Sequence, residues 1–381
     1  MSHIARCFLS LCSLTVLSTP LLFAETPPVI EKEINVPHQV TPSFAQLVQN
    51  VKPALEWNAK SAEEHQEWQK NARSVLQGLL GRMPERVPLD VKWAEEKSFE
   101  KFTRYKIYVQ TEAEYWAPVY YFVPHELKTP APAIICLHGH SGIYPYIREG
   151  ETEADRKKGS EHELDYAPYL AEHGYVTAAI VVRGWNETAG FQDGGVKLPR
   201  SCTQMTMNSF LIGMTPQGLR CWDASRVIDF LQSRKEVDAS KIGVAGLSGG
   251  GTLALYMPLL DDRVKLTMIG GAFSSYKASI YSIRHCVCNC LPGIMEQADM
   301  SDVVAAYAPV PVLLINGIDD PIFPIAEARE GYEKLQQVYR VAGYPDGIDA
   351  DFFEGGHQWS HRKTVPFLKK HFGTAGGTAE K

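Results

Sequence analysis

Residues 241–251 read Lys-Ile-Gly-Val-Ala-Gly-Leu-Ser-Gly-Gly-Gly and join a short apolar run to a helical pattern. The run at 242–245 is typical of a strand that is buried on both faces of a parallel sheet. Ser248 follows it between Gly246 and Gly250, in the pattern G-x-S-x-G. A sharp turn from strand to helix requires neighbours without bulk, so this context predicts a strained turn that exposes Ser248 as a nucleophile.

Further apolar runs of the same kind occur along the chain, at residues 133–137, 176–182, 264–269, 312–315 and 350–353. Helical patterns alternate with them, at residues 166–173, 218–234, 251–259 and 326–341. This alternation indicates right-handed crossovers and a central, mostly parallel sheet flanked by helices. Together with the turn at Ser248, it predicts an α/β protein with the α/β-hydrolase fold.

The part of the chain before these runs has a different pattern. Apolar residues recur at helical intervals between Phe44 and Leu80, with a break at Pro53, which predicts two amphipathic helices. Alternating polar and apolar residues at 102–109 and 117–123 predict antiparallel strands. We therefore expect an N-terminal arm with a helical extension at 25–85, a catalytic domain at 86–372 and a disordered tail at 373–381.

The first 24 residues have the pattern of a secretory signal peptide. His3 and Arg6 give a weakly positive start, and residues 7–23 are almost uninterruptedly apolar or small. The run is too short, and too broken by Pro20, for a transmembrane helix. A buried N-terminal helix is the alternative, but the segment lacks a cap and a helical period. We expect a secreted or periplasmic protein without stable membrane insertion after cleavage.

The charge balance restricts the partners of the chain. The 381 residues carry a formal net charge of −6, and 22% of them are charged and 45% hydrophobic. Nucleic acids and anionic membranes require a clustered basic surface, so we expect neither as a partner. A small-molecule or polysaccharide substrate fits this composition better.

A nucleophilic serine needs a base, and the base needs a carboxylate that orients it. In this fold the three residues follow in the order serine, acid, histidine. Asp320 lies just past the end of an apolar run and is preferred over the adjacent Asp319, with a solvated turn as the alternative for both. His357 follows the last apolar run and two glycines. We expect Ser248, Asp320 and His357 to form a catalytic triad.

The oxyanion that develops on a substrate carbonyl needs preorganised N–H donors. In this fold one donor lies in the loop after an early strand, and the other directly follows the nucleophile. The early loop reads His138-Gly139-His140, so we assign the amides of His140 and Gly249. A metal held by the His-x-His pair is the alternative, but the loop offers no cysteine or carboxylate partner. We therefore expect no metal and no cofactor.

Several segments resemble those of the secreted bacterial α/β-hydrolases of the acetyl xylan esterase-like and dienelactone hydrolase-like family. They are His138-Gly139, Arg183-Gly184-Trp185, Gly246-Leu247-Ser248-Gly249-Gly250, His285-Cys286-Val287-Cys288-Asn289, Leu291-Pro292-Gly293, Asp320-Pro321-Ile322-Phe323-Pro324 and Gly356-His357. The resemblance covers about residues 68–372. It implies hydrolysis of esters without a cofactor, and these are often acetyl or methyl esters on plant or algal polysaccharides.

Three further side chains are candidates for substrate binding, because they lie in loops at the predicted edge of the site. Trp185 and Trp359 could stack on a sugar ring, and a buried structural role is the alternative for each. Arg183 follows a strand and could meet a carboxylate of the substrate. A structural salt bridge is the alternative for Arg183.

The cysteines after the predicted signal peptide permit cross-linking. Cys136 lies in an apolar run and is expected to be a small buried residue. The Cys-x-Cys-x-Cys segment 286–290 is interpreted as extended, which would send successive side chains to opposite faces. In an exported chain we favour a disulfide from this segment to Cys202 or Cys221. Buried thiols, or a zinc site that includes His285, are the alternatives.

The leading prediction is a serine carboxylic-ester hydrolase that works through an acyl-enzyme. Prolyl-peptidase-like enzymes are one alternative, because they share G-x-S-x-G-G and the order of the triad, but the chain has no room for their propeller domain. A noncatalytic binding protein that keeps only the fold is the other. The presence of all three triad residue types in the expected order disfavours it.

Overall fold

The computed structural model describes residues 40–150, 153–190 and 200–373. The predicted signal peptide lies outside these ranges, and so does the predicted tail apart from Gly373. Within the described ranges the chain divides into two compact units, the first ending at Asn50 and the second beginning at Val51. Helix α1, Val40–Gln49, lies in the first unit. None of the described helices is both long enough and apolar enough to cross a membrane.

The second unit is built on one nine-stranded sheet. Its strands are β1 (Val91–Ser98), β2 (Phe102–Glu112), β3 (Tyr115–Pro124), β4 (Ala131–Leu137), β5 (Val176–Ile180), β6 (Val237–Leu247), β7 (Val264–Gly270), β8 (Val312–Gly317) and β9 (Ile348–Phe353). Their spatial order is β1-β2-β3-β5-β4-β6-β7-β8-β9. The pairs from β1 to β5 are antiparallel, and those from β5 through β4 to β9 are parallel. The predicted mostly parallel sheet is confirmed.

Helices lie before, between and after these strands. They are α2 (Ala62–Leu79), α3 (Glu153–Glu161), α4 (Tyr166–Glu172), α5 (Cys202–Leu211), α6 (Pro216–Gln232), α7 (Gly249–Leu260), α8 (Ile294–Gln297), α9 (Met300–Ala305), α10 (Ile325–Val341) and α11 (Thr364–Phe372). Helix α5 has no amphipathic pattern in the sequence, because Met207, Phe210 and Leu211 are exposed on it. The helices with a clear pattern are confirmed, with ends shifted by a few residues.

The central strands contribute side chains to both faces of the sheet. In β4, Ile135 and Leu137 belong to the hydrophobic core on one face, whereas Ile134 and Cys136 belong to the core on the other. Helices α2, α6, α7 and α10 cover the first face, and α4 and α11 cover the second. Burial on both faces explains why these strands read as continuous apolar runs.

The strand order reverses direction at β4. Strands β5 and β6 follow one another in the chain, yet they lie on opposite sides of β4. Loops that leave the carboxyl ends of β4 and β6 in opposite directions open a crevice, where open α/β sheets bind ligands. The loop 138–140 follows β4, and Ser248 directly follows β6. The topology therefore brings these two segments to one place.

Strand β1, at the antiparallel edge, has no counterpart in the sequence prediction. It reads Val-Lys-Trp-Ala-Glu-Glu-Lys-Ser, and all its residues after the half-buried Val91 are exposed. A strand that is solvated on both faces shows no alternation of polar and apolar residues. Its charged side chains are those that edge strands use to discourage pairing with a second chain.

Two glycine substitutions test how closely the turn at Ser248 packs on β4. A Cβ on Gly250 would lie 2.5 Å from the carbonyl carbon of Leu137. Gly250→Ala must displace backbone, so we expect it to lower the free energy of unfolding by about 1–3 kcal/mol or more. Gly78, in α2, has no atom within 4 Å of its Cβ position, and Gly78→Ala should raise this free energy by roughly 0.5–1 kcal/mol.

Urea unfolding followed by circular dichroism measures both variants. Equal stability of Gly250→Ala and the wild-type chain would contradict the packing described for this turn. Gly78→Ala is the matched control, since it adds the same methyl group where there is room for it.

Candidate active site

Ser248 lies at the turn between β6 and α7 in a backbone conformation that side chains rarely adopt. Its φ and ψ angles are 58° and −120°. A Cβ on Gly246 would overlap the carbonyl of Gly250, and Gly250 itself packs against Leu137 in β4. The glycines of G-x-S-x-G therefore let the turn fold closely on itself and hold Ser248 at the carboxyl end of the sheet, as in a nucleophile elbow.

Asp320 and His357 lie in the loops after β8 and β9 and are joined by a hydrogen bond. His357 Nδ1 donates to Asp320 Oδ2 at 2.7 Å. The other carboxylate oxygen, Oδ1, accepts the backbone N–H groups of Ile322 at 2.8 Å and Phe323 at 3.2 Å. Asp320 is 5% exposed, whereas the adjacent Asp319 is exposed. The structure thus brings Asp320, rather than Asp319, to the histidine.

The backbones of the two loops are joined as well. The N–H groups of Ile318 and Asp319 donate to the carbonyls of Phe353 and Gly355, each at 2.9 Å. The loops approach so closely that a Cβ on Gly317 would lie 2.8 Å from the carbonyl carbon of Gly355. Backbone hydrogen bonds therefore fix the loop that carries Asp320 against the loop that carries His357, independently of these two side chains.

Ser248 and His357 line the same cavity, which has a volume of about 510 Å³. His357 Nε2 has no hydrogen-bond partner among the described residues. Its ring lies parallel to that of Phe323, with centroids 6.1 Å apart. The Ser248 hydroxyl and Nε2 are not hydrogen-bonded to each other in this structure, and such bonds often form only when substrate binds. The cavity thus holds a hydroxyl and an unpaired imidazole nitrogen, as nucleophilic catalysis requires.

The loop after β4 brings backbone donors to this cavity. A Cβ on Gly139 would lie 3.0 Å from Ser248 Cβ, so the loop is close to the serine. The N–H of His140 has no backbone acceptor among the described residues. Gly249 is the first residue of α7, and the N–H groups in the first turn of a helix lack intrahelical acceptors. Both amides assigned from the sequence therefore flank Ser248.

His138 holds this loop in place through a buried, neutral imidazole. Burial lowers the pKa of His138 to about 3, so its ring is uncharged at neutral pH. His138 Nε2 accepts the N–H of Val182 at 2.9 Å. The ring proton is therefore on Nδ1, which donates to the carbonyl of Gly139 at 2.8 Å. The ring ties the loop to the chain that leaves β5.

The prediction that Trp359 contacts the substrate is wrong. Its side chain is 0% exposed, and its ring packs on Tyr166 with centroids 4.4 Å apart. It fills the space at Gly270, where a Cβ would lie 2.7 Å from Cε3 of the indole. Trp359 is a core residue near the His357 loop, and the buried structural role is the correct one.

Trp185 and Arg183 also make their contacts inside the protein. Trp185 is 7% exposed, and its ring makes an edge contact with that of His140, with centroids 5.3 Å apart. Arg183 donates to both carboxylate oxygens of Asp223, at 2.9 and 2.6 Å, and also pairs with Glu112. The ring contact of Trp185 supports the loop at residues 138–140, and the contacts of Arg183 form a structural salt bridge. The contacts of Trp185 correct its assignment to substrate binding. Arg183 also lines a groove of about 1360 Å³, so a contact between Arg183 and the substrate stays a prediction.

Two arginines without any sequence signal line the cavity. Arg200 and Arg284 belong to its wall, and its described lining includes no aspartate or glutamate. An adjoining groove of about 1360 Å³ shares Arg200, Arg284 and His285 with it. Arg200 precedes the unpredicted helix α5, and Arg284 lies in the irregular segment between β7 and β8. Only the fold brings these two arginines to one wall.

The cysteine-rich segment is not extended, contrary to the prediction. Val287–Asn289 is a turn of 3-10 helix, and it brings the sulfur of Cys286 to 3.3 Å from that of Cys288. Of the two cysteines proposed as disulfide partners, Cys202 lies close to this pair. Cys221 is buried in α6, and its thiol faces the carbonyl of Leu253 in α7.

Comparisons with known proteins agree with this architecture. The chain matches the family model Abhydrolase_7, described as "Abhydrolase family", over residues 40–370. A relative from Bacillus subtilis (strain 168), named "Putative hydrolase YtaP", is 26% identical over 305 residues, which are 78% of this chain and 98% of the relative.

Two solved structures share the fold at low sequence identity. One, described as "a putative acetyl xylan esterase" from Bacteroides fragilis NCTC 9343, has a TM-score of 0.74 at 16% identity and covers 87% of this chain and 95% of its own. A glucuronoyl esterase from Solibacter usitatus has a TM-score of 0.62 at 16% identity, over 86% of this chain and 99% of its own. Because the family model spans most of the sequence, this chain with its α/β-hydrolase fold belongs to the Abhydrolase family.

Proposed function

We propose that the protein is a serine carboxylic-ester hydrolase that acts on carbohydrate esters through an acyl-enzyme. The observation that carries this proposal is the hydrogen bond between His357 and Asp320, 2.7 Å long, in a loop pair that opens onto the cavity of Ser248. A strained nucleophile turn, an oriented imidazole and two adjacent amides are the groups that acyl transfer needs.

In the first half-reaction, Ser248 Oγ attacks the ester carbonyl carbon while His357 Nε2 takes the hydroxyl proton. Asp320 stabilises the imidazolium through its hydrogen bond to Nδ1. The electron pair of the carbonyl moves to its oxygen, which accepts the N–H groups of His140 and Gly249. The tetrahedral intermediate then breaks its bond to the alkoxy oxygen, and His357 returns the proton to that oxygen as the alcohol leaves.

In the second half-reaction, water attacks the acyl carbon while His357 takes its proton. The bond from the acyl carbon to Ser248 Oγ breaks, and Oγ receives the proton from the imidazolium. The carboxylic acid leaves and the enzyme is restored. Neither half-reaction needs an electron acceptor or a Lewis acid, in line with the expectation that the chemistry uses no cofactor.

We propose that the preferred substrate is an acetyl or methyl ester of an acidic carbohydrate, which supplies either the alcohol or the acid of the ester. The guanidinium groups of Arg200 and Arg284 give the cavity a cationic wall, which would attract carboxylates on a uronic acid or its neighbours. The adjoining groove of about 1360 Å³ offers room for further sugar units. The descriptions of the two similar structures as acetyl xylan and glucuronoyl esterases support a carbohydrate ester.

Export to the periplasm or the cell exterior is part of this proposal. It is supported by the apolar segment 7–23 and the polar stretch that follows it. Polysaccharide esters too large to cross a membrane would be accessible to an exported enzyme.

Ser248→Ala tests the nucleophile. The variant should fold normally and lose ester hydrolysis by roughly 10⁶-fold, the scale found when a serine protease loses its nucleophile. Hydrolysis of para-nitrophenyl acetate and release of acetate from acetylated xylan measure the loss. Activity within tenfold of the wild-type value would exclude the proposed mechanism, and faster hydrolysis of peptide amides than of esters by the wild-type enzyme would favour a peptidase.

Asp320→Asn and Asp319→Asn form a matched pair, because they make the same change at adjacent positions. Asp320→Asn should lower kcat by roughly 10⁴-fold, since an amide cannot stabilise the imidazolium and favours the wrong tautomer. Asp319 is exposed, so Asp319→Asn should leave kcat within about twofold. Steady-state kinetics on one ester compares them, and the reverse ranking would identify Asp319 as the acid.

Arg284→Ala tests the proposed preference for acidic carbohydrates. We expect KM for methyl-esterified pectin to rise about 2–5-fold at low salt, the effect of losing one exposed ion pair, while KM for para-nitrophenyl acetate stays unchanged. The rise should shrink as salt is added. Arg340→Ala, at an exposed arginine in α10, is the control for the change in net charge. An equal effect of both substitutions would refute a local role for the cationic wall.

A further inference from the structure

Four potential metal ligands converge at the loop after β4, which supplies one of them. His140 and the sulfur atoms of Cys202, Cys286 and Cys288 offer one ligand atom each, and these atoms all lie within 4.8 Å of one another. His140 Nε2 is 3.3 Å from Cys288 Sγ, and Cys288 Sγ is 3.3 Å from Cys286 Sγ. In the structure, His140 therefore directs its ring nitrogen at a group of sulfur atoms.

We propose that these four residues form a structural Cys₃His site for one zinc ion. Zinc binds thiolate at about 2.3 Å and imidazole at about 2.0–2.1 Å in a tetrahedron, so its ligand atoms stand roughly 3.5–3.8 Å apart. Two of the observed separations between the ligand atoms are 3.3 Å, and none exceeds 4.8 Å. Small side-chain adjustments are therefore enough to reach the tetrahedral distances. Three soft thiolates and one imidazole suit zinc, whereas magnesium and calcium require oxygen ligands.

A buried cation next to the cluster supports the proposal independently. Arg220 is 4% exposed, its Nε donates to the carbonyl of Arg183, and its Nη2 lies 3.5 Å from Cys202 Sγ. None of the salt bridges between described residues includes Arg220, although a buried charge normally requires an opposite charge. Zinc with three thiolates and one neutral imidazole carries a net charge of −1, which would balance the guanidinium.

A disulfide explains these contacts less completely. It would join two of the sulfur atoms and make them neutral, so at most one thiolate would remain to face Arg220. It would also leave at most one thiol to donate a hydrogen bond to the ring nitrogen of His140, because disulfide sulfur atoms carry no proton. The sequence alone favoured a disulfide because an exported chain meets oxidising conditions, and that outcome is the direct rival of zinc.

The zinc site would join three segments that are far apart in the chain. His140 lies in the loop after β4, and Cys202 begins α5. Cys286 directly precedes the 3-10 turn Val287–Asn289, and Cys288 lies within it. His140, Arg200 and Cys286 all line the active-site cavity. Four protein ligands leave no open coordination position, so the metal would hold these walls together and take no part in the chemistry. This inference does not rest on the proposed esterase activity.

Metal analysis of the purified full-length chain is the first test. We expect about one zinc per chain by inductively coupled plasma mass spectrometry, retained after dialysis. A strong chelator should release it and lower the melting temperature by at least about 5 °C, and added zinc should restore that temperature. Reductant alone should leave the melting temperature unchanged.

Two cysteine substitutions give a matched comparison. Cys202→Ser should lower the zinc content from about one per chain to a small fraction of that. Cys290→Ser should retain it, because Cys290 lies in the same segment but outside the group of four. If Cys202→Ser fails to fold, the chelator and thiol measurements on the wild-type chain still decide.

Thiol titration of the unfolded wild-type chain separates zinc from a disulfide. In the presence of chelator and without reductant, every cysteine of the chain should react. Two missing thiols, with a melting temperature sensitive to reductant and not to chelator, would overturn the zinc site in favour of a disulfide. A chain without zinc whose thiols all react would also overturn it. Ser248→Ala should keep its zinc, so failure of the proposed catalytic function and failure of this inference give different results.

Discussion

The close approach of α7 to the end of β4 positions the nucleophile. At Gly250 the helix backbone lies against the carbonyl of Leu137, where a side chain has no room. Gly251 is similarly close to the chain that leaves β7, since a Cβ there would lie 2.6 Å from Ala272 Cβ. With bulkier residues α7 would stand away from the sheet, and Ser248 would move away from the loop that carries His140. The absence of side-chain volume at these glycines therefore allows Ser248 and the loop that carries His140 to meet.

His357 reaches Ser248 although two strands of the sheet separate the strands that precede these residues. Ser248 follows β6 and His357 follows β9, and β7 and β8 lie between them. Two glycines at the end of β7 leave the path open: a Cβ on Gly270 would lie 2.7 Å from the Trp359 ring, and one on Gly271 would lie 3.1 Å from Cε1 of His357. Trp359 is buried for this reason, because it fills the space that Gly270 leaves and anchors the loop in which His357 lies.

Sequence patterns predicted those parts of the molecule that depend on local periodicity or on a short motif. The buried strands, the amphipathic helices and the turn at Ser248 are of this kind. The order of the chain also singled out Asp320 and His357, which are hydrogen-bonded to each other in the structure, whereas their catalytic roles stay a prediction. Features that depend on tertiary contacts were missed or misread. Edge strand β1 and helix α5 are too exposed to show a pattern, and the burial of Trp359 depends on a glycine 89 positions away in the chain. The grouping of His140 with cysteines from two other segments was equally invisible, although His-x-His and Cys-x-Cys were the signals that could have suggested it.

Backbone hydrogen bonds join the loops after β8 and β9. The proposed proton-transfer residues are therefore positioned separately from most side chains that would select the substrate. The N–H groups of Ile318 and Asp319 hold the loop that carries His357 through main-chain atoms, so backbone contacts help to keep Asp320 next to His357. Parts of the cavity wall come instead from other segments, such as the irregular one that carries Arg284. Among the described residues, the backbone of that segment makes no hydrogen bond to the backbone of the loop that carries Asp320. Substitutions in these walls can alter which ester fits without changing the proton-transfer groups. A duplicated copy of such a gene could therefore acquire new substrates through substitutions in these walls and still keep the residues proposed for the chemical step.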